Sequence, residues 1–120
     1  MKRENILQKK AFLFALNCIA QGREISKKYN EYIITKQLIR SSTSIGANLE
    51  EAIGGFSKND FLFKLSIVNK EALESRYWIR ILTELKFLDQ IQSENLLKEI
   101  DEMINIIIAS INTLKKNNRN

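Results

Sequence analysis

The chain has 120 residues, 44% of them apolar and 28% charged, with no proline, no histidine and a single cysteine. That is the composition of one soluble globular domain rather than of a disordered or membrane chain, and it excludes a disulfide scaffold and every Ser-His-Asp, Cys-His or histidine-ligated metal site. The net charge of +5 is unevenly placed: residues 1–40 hold nine Lys or Arg against three acids, 41–89 six against seven, 90–114 one against four, and the tail from Lys115 three against none.

Apolar residues recur at helical spacing almost throughout, and no strand-like alternation persists. The expectation is an all-α, antiparallel up-and-down four-helix bundle occupying residues 1–120 as one domain. A first helix over about residues 5–29 places Ile6, Leu13, Leu16 and Ala20 along one stripe, widened by Phe12, Phe14 and Ile19. Lys27 and Lys28 suit a helix C-terminus, and Asn30 tolerates turn geometry. Cys18 lies among these apolar residues as a small buried hydrophobe, with no histidine to activate it.

The second helix, about 31–54, carries Ile34, Leu38, Ser41, Ile45, Asn48 and Ala52 on one face and stops at Gly54-Gly55. Its second half is built from Ser41, Ser42, Ser44, Gly46, Ala47 and Ala52. Such small residues let a neighbour approach closely, while Gly46 costs about 1 kcal/mol of helix propensity relative to alanine. The third helix, about 57–87, opens with Ser57 as its cap and Asp60 in the first turn. Two stripes run along it, one from Phe61 through Leu65, Val68, Ala72, Ser75 and Ile79 to Leu82. The other joins Phe63, Ile67, Glu74, Tyr77, Ile81 and Leu85, and a lone bundle needs only one.

The fourth helix, about 92–116, has its acids early, its Lys115-Lys116 late, and an apolar middle from Met103 to Ile111. That middle is about half a membrane span and includes Asn105 and Ser110, so no membrane is expected and a cytoplasmic location is. Its girth, with the doubled stripe of the third helix, points to a homo-oligomer.

No Gly-rich phosphate loop occurs, so neither a cofactor nor catalysis is expected. Both termini of such a bundle emerge at one end, which gathers Lys2, Arg3, Lys115, Lys116 and Arg119 there. With Lys9, Lys10, Lys36 and Arg40 these are the candidates for contact with nucleic-acid phosphates. Asn48 and Glu51 share one helix face, as do Glu71 and Glu74. With Arg76 or Arg80 as partners they read as a hydrogen-bonded network fixing helix register; a metal or acid-base site is the sharper alternative.

Two segments carry a resemblance: Gln37-Leu38-Ile39-Arg40-Ser41-Ser42-Thr43-Ser44-Ile45-Gly46-Ala47-Asn48-Leu49-Glu50-Glu51-Ala52, and Lys70-Glu71-Ala72-Leu73-Glu74-Ser75-Arg76-Tyr77-Trp78-Ile79-Arg80-Ile81-Leu82. Both resemble the four-helix-bundle family of bacterial 23S rRNA intervening-sequence proteins, which is similar to the accessory protein of diversity-generating retroelements. The resemblance implies a closed bundle and a homopentameric ring. For the retroelement relatives it implies a basic surface that binds nucleic acid and a reverse transcriptase. Asn48, Glu51, Glu71 and Glu74 match recurrent polar positions of the family, and Gly46 stands where relatives often have proline. Two functions follow as expectations: a non-enzymatic homo-oligomer binding RNA or other nucleic acid through a basic surface, or a protein-interaction scaffold with no nucleic-acid role.

Overall fold

The computed structural model describes residues 2–55 and 57–118, and side chains over 6–55 and 57–117. Four helices follow in order: α1 Lys2–Tyr29, α2 Ile33–Ile53, α3 Lys58–Glu84 and α4 Gln90–Asn118. Each packs on its neighbours in sequence and α1 closes on α4, with no diagonal contact among the described residues. The result is the expected antiparallel bundle, a rod 52 Å long and 21 Å across. Leu7 and Leu114 line one small pocket, so the start of α1 and the end of α4 share an end. No described helix is long and apolar enough to cross a membrane.

The helix limits follow from local chemistry. After α1, Asn30 takes a left-handed φ of 55°, which asparagine tolerates better than most residues. The Glu31 carboxylate then accepts from the backbone N–H groups of Ile33, Ile34 and Thr35. It supplies the cap from outside, so α2 begins at Ile33 rather than at 31. Ser57, in extended backbone, accepts from the Asp60 N–H at 3.1 Å and caps α3 as its spacing suggests.

α3 stops at Glu84, three residues short of the expected end, because Lys86 turns left-handed at φ 67°. The Phe87 N–H then donates back to the Leu82 carbonyl at 2.9 Å and the Lys86 N–H to that of Thr83 at 3.0 Å, the paired bonds of a Schellman stop. Asp89 caps α4 by accepting from the Gln92 N–H at 2.8 Å. That cap starts the helix at Gln90, ahead of the expected 92.

The core is one continuous cluster in which Phe14, Leu38, Ile45, Leu65, Ile79, Leu96, Ile100, Met103 and Ile107 are fully enclosed. Hydroxyl pairs stitch three of the four seams: Ser26 to Thr35 across α1 and α2, Ser41 to Ser75 across α2 and α3, and Thr83 to Ser93 across α3 and α4. Each pair satisfies a polar group inside an apolar interface and favours one helix register.

Two expectations about faces change. On α1 the core takes Leu7, Ala11, Phe14, Cys18 and Ile25, leaving Ile6, Leu13, Leu16 and Ala20 outside. The helix is apolar on several faces, and the close-packed side is the one with small residues, Ala11 and Gly22. A Cβ on Gly22 would lie 3.0 Å from the Ile39 Cδ1, so α1 and α2 already touch there. On α4 the apolar girth is absorbed internally: Met103, Ile104 and Ile107 are buried, Ile106 and Ile111 half-buried, and Ile108 is the large apolar side chain of that stretch left exposed. Unpartnered apolar surface sits instead on α1, at Phe12, Leu13 and Leu16, and on α3, at Phe63, Leu73 and Tyr77.

Candidate nucleic-acid interface

The four seams of the rod differ in chemistry. Lys10 reaches Glu102 at 3.2 Å across α1 and α4, and Arg76 reaches Asp101 at 2.8 Å across α3 and α4. Across α2 and α3, Lys64 meets Glu51 at 2.8 Å and Arg40 spans both Glu71 and Glu74. The seam between α1 and α2 carries no ion pair among the described residues. A groove of about 410 Å³ runs along it, lined by Phe12, Leu16, Ile19, Gly46 and Ala47, with the Gln8 amide donating to Glu50 at its edge.

Arg40 is thus committed within the protein, as Lys10 is. Partial burial pushes the Glu74 carboxyl up, but hydrogen bonds from Arg40 and Trp78 and the Arg40 charge together outweigh it. The group lies below its ordinary range. The hydrogen bond to Glu74, with both carboxylate charges, raises Arg40 in turn. Side chains set together by sequence spacing divide among separate contacts: Asn48 donates to the Ser44 carbonyl of its own helix, Glu51 turns to Lys64, and Arg76 turns away from α2 to Asp101. Asp101 and Lys64 are partners that spacing within one helix could not reveal, since each pairing depends on how two helices are set in register; Trp78, four residues after Glu74 on α3, lies within reach of spacing. No three acidic or thiol side chains among the described residues converge as a metal site would require.

The cations outside these pairs gather at the two ends of the rod, with Lys70 and Lys98 remaining along its length. At the end shared by the termini, Lys9, Lys58, Lys115 and Lys116 are exposed. The side chains of Lys2, Arg3 and Arg119, expected at this end, lie outside those described. At the opposite end, where α1 turns into α2 and α3 into α4, Arg23, Lys27, Lys28, Lys36, Arg80 and Lys86 are exposed, and none enters an ion pair among the described residues. Sequence reasoning placed only Lys36 of this group among the phosphate contacts. Antiparallel topology is the signal that unites them, because it brings residues 23–36 beside residues 80–89.

A sequence model of the family described as 23S rRNA-intervening sequence protein matches residues 3–109. The chain belongs to this family. The crystal structure of a protein with unknown function from the S23 ribosomal protein family, from Bacteroides thetaiotaomicron VPI-5482, is similar at 32% identity and a TM-score of 0.88. The similarity covers 92% of this chain and 98% of that one. No curated protein matches. Family membership confirms the resemblance carried by the α2 and α3 segments, and the family fold is the four-helix bundle seen here.

Proposed function

We propose that this family member is a non-enzymatic, cytoplasmic homo-oligomer that binds RNA or other nucleic acid through the basic ends of its bundle. The observation that carries the reading is the partition of cations. Among the described residues, those at the helix seams are neutralised by carboxylates, whereas those at the ends stand exposed and outside any ion pair, open to phosphates, which supply most of the affinity in such complexes. Self-association is supported by the ion-pair-free groove between α1 and α2 and by the ridge of Phe63, Leu73 and Tyr77 on the outer face of α3. At 1.5 Å per residue the groove from Gln8 to Ile19 is roughly 17 Å long and the ridge roughly 21 Å, so the two are comparable in length and most of the ridge can lie along the groove. Lys70 on the ridge and Glu50 on the groove rim are opposite in charge. Groove and ridge are different surfaces, so their contact is heterologous and closes as a ring when the rotation allows, in line with the five-fold ring the resemblance implies.

Fluorescence anisotropy with labelled RNA over a salt series tests the nucleic-acid reading, and light scattering tests the assembly. Binding at low salt that weakens steeply as salt rises is the expected result. A clean monomer would remove the assembly from the proposal, and salt-indifferent or absent binding would remove the nucleic acid. In the latter case the groove supports the scaffold reading, in which an apolar partner segment docks between α1 and α2.

A further inference from the structure

We infer that the cleft between the two turns, at the end of the rod away from the termini, seats one unpaired base of a single-stranded nucleic acid, with guanine the base its polar wall fits best. The inference rests on the nucleic-acid reading above and adds a place, a strand type and a base.

The cleft holds about 140 Å³, several times the ~30 Å³ share of one water molecule. A cleft of that size suits a single planar group better than a duplex. Tyr29, from the end of α1, and Phe87, from the turn after α3, form its aromatic side, with ring centroids 4.8 Å apart and planes tilted by 42°. Tyr29 remains 40% exposed, and a base that displaces the Lys28 side chain from over its ring gains a stacking surface there. Lys28 holds its ammonium over the Tyr29 ring, 5.3 Å from the centroid, and Lys86 also lines the cleft. With the flexible Lys28 side chain swung aside, both cations are beside the cleft, where the phosphates next to a seated base would pass. Lys27 and Lys36 extend the track, and Tyr32, 60% exposed, gives a second platform.

The polar wall carries Gln21, Glu24, Asp89 and Gln92. Among the described residues the Glu24 carboxylate has no hydrogen-bond or ion-pair partner, and Asp89 uses one oxygen for the α4 cap. Free carboxylates argue against a plain phosphate pocket and against an anionic membrane, both of which they would repel. They suit a base edge that presents adjacent N–H donors. Guanine does so through its N1–H and N2 amino groups, and single-stranded recognition works through stacking joined to such edge contacts.

Lys86 occupies the left-handed position of the Schellman stop, which glycine fills without steric cost. Glycine would close the helix more cheaply there but would leave the cleft lining without this ammonium.

The test uses the full chain and three labelled probes: an oligouridine RNA with one central guanosine, the same strand with inosine, which lacks the N2 amino group, and a duplex of equal length. Tyr29→Ala should weaken guanosine-strand binding by about tenfold, within the range for losing one stacked base, and duplex binding by less than about twofold. Glu24→Gln should erase the preference for guanosine over inosine. Lys86→Gly touches no packed side chain. It should raise the melting temperature by relieving the backbone while lowering the single-strand salt slope by about 0.7, one phosphate contact.

Wild-type protein that binds RNA but is indifferent to Tyr29→Ala and Lys86→Gly overturns the seat and leaves the broader reading intact. Equal losses for strand and duplex also overturn it. Wild-type protein that binds none of the three probes at low salt overturns both. Capture by phosphatidylserine vesicles that depends on Lys86, with no RNA binding, would make this end a membrane face and overturn the seat as well.

Discussion

Cys18 is fully enclosed at the α1–α2 seam, and burial pushes its thiol up to about 12 despite a hydrogen bond with Ser42 that works the other way. The folded protein therefore holds this proton more tightly than the unfolded chain. Its contribution is complete below the unfolded value of 9.0 and is lost as pH rises from there toward 12. Comparing urea midpoints of wild type and Cys18→Ala isolates the effect, because every other side chain is common to both proteins. The gap between the two proteins should shrink by about 2 kcal/mol from pH 7 to pH 10.5, at about 1.4 kcal/mol per unit above 9. A gap that does not move with pH would show an accessible thiol. The Arg40 contact works in the acid direction: the lowered Glu74 carboxyl contributes above its unfolded value and ceases to as pH falls through its folded one. Arg40→Ala leaves Glu71 and Glu74 facing each other without a cation and should cost about 1 kcal/mol, a screened surface figure. Chemical denaturation at pH 7 reads that loss, and the loss should shrink as pH falls far enough to protonate the Glu74 carboxyl. At this scale the sequence was legible where a contact is local, as at Ser57 and Asp60. It was silent where a side chain crosses a seam, as Arg76 does to reach Asp101.

Helices α1 and α2 meet without an ion pair among the described residues. Their order, type and polarity were plain from spacing and turn residues, and the limits moved by two or three residues where Glu31, Lys86 and Asp89 act from outside the helices they stop or start. The buried face of α1 was not legible. Phe12, Leu13 and Leu16 are as apolar as Leu7, Phe14 and Ile25, and only the close approach at Gly22 selects between them. Gly46 lies on the groove side of α2, and a Cβ there would meet the Ala11 Cβ at 3.8 Å, an ordinary contact. Gly46→Ala should therefore recover the helix propensity, about 1 kcal/mol, and raise the melting temperature by about 4 °C. A lower melting temperature would mean that the seam is closer-packed than these distances show. The pair Phe12→Glu with Leu16→Lys changes exposed positions and spares the core. Its circular dichroism should match wild type while light scattering reports a smaller species. An unchanged assembly would move the interface away from this groove.

For the whole molecule, the placement of charge matters more than its sum. Net charge and the excess of cations in residues 1–40 were legible from the start, but not which cations are spent inside the fold: Lys10 and Arg40 are, and Lys9 and Lys36 are not. Antiparallel topology divides most of the remainder, all but Lys70 and Lys98 among the described residues, between two ends, so two sets of variants separate their contributions. Lys27→Gln with Lys28→Gln removes charge from the turn end, and Lys115→Gln with Lys116→Gln from the terminal end. All four side chains are exposed, and folding should be unaffected. Each lost contact to a single strand lowers the slope of log affinity against log salt by about 0.7. If both ends bind, each pair flattens the slope by up to about 1.4, and the four-fold variant by the sum, as independent contacts require. Lys10→Gln serves as the internal comparison, because its partner is Glu102 rather than phosphate, and it should leave the slope unchanged. In an oligomer the same contacts repeat around the assembly, and avidity multiplies the effect of each substitution. The slope should therefore be measured on the assembled protein and again on the Phe12→Glu, Leu16→Lys variant. A shallower slope in the smaller species, with the same ranking of lysines, is the expected outcome. A Lys10→Gln effect as large as that of the end variants would mean that the seams, and not the ends, carry the nucleic acid.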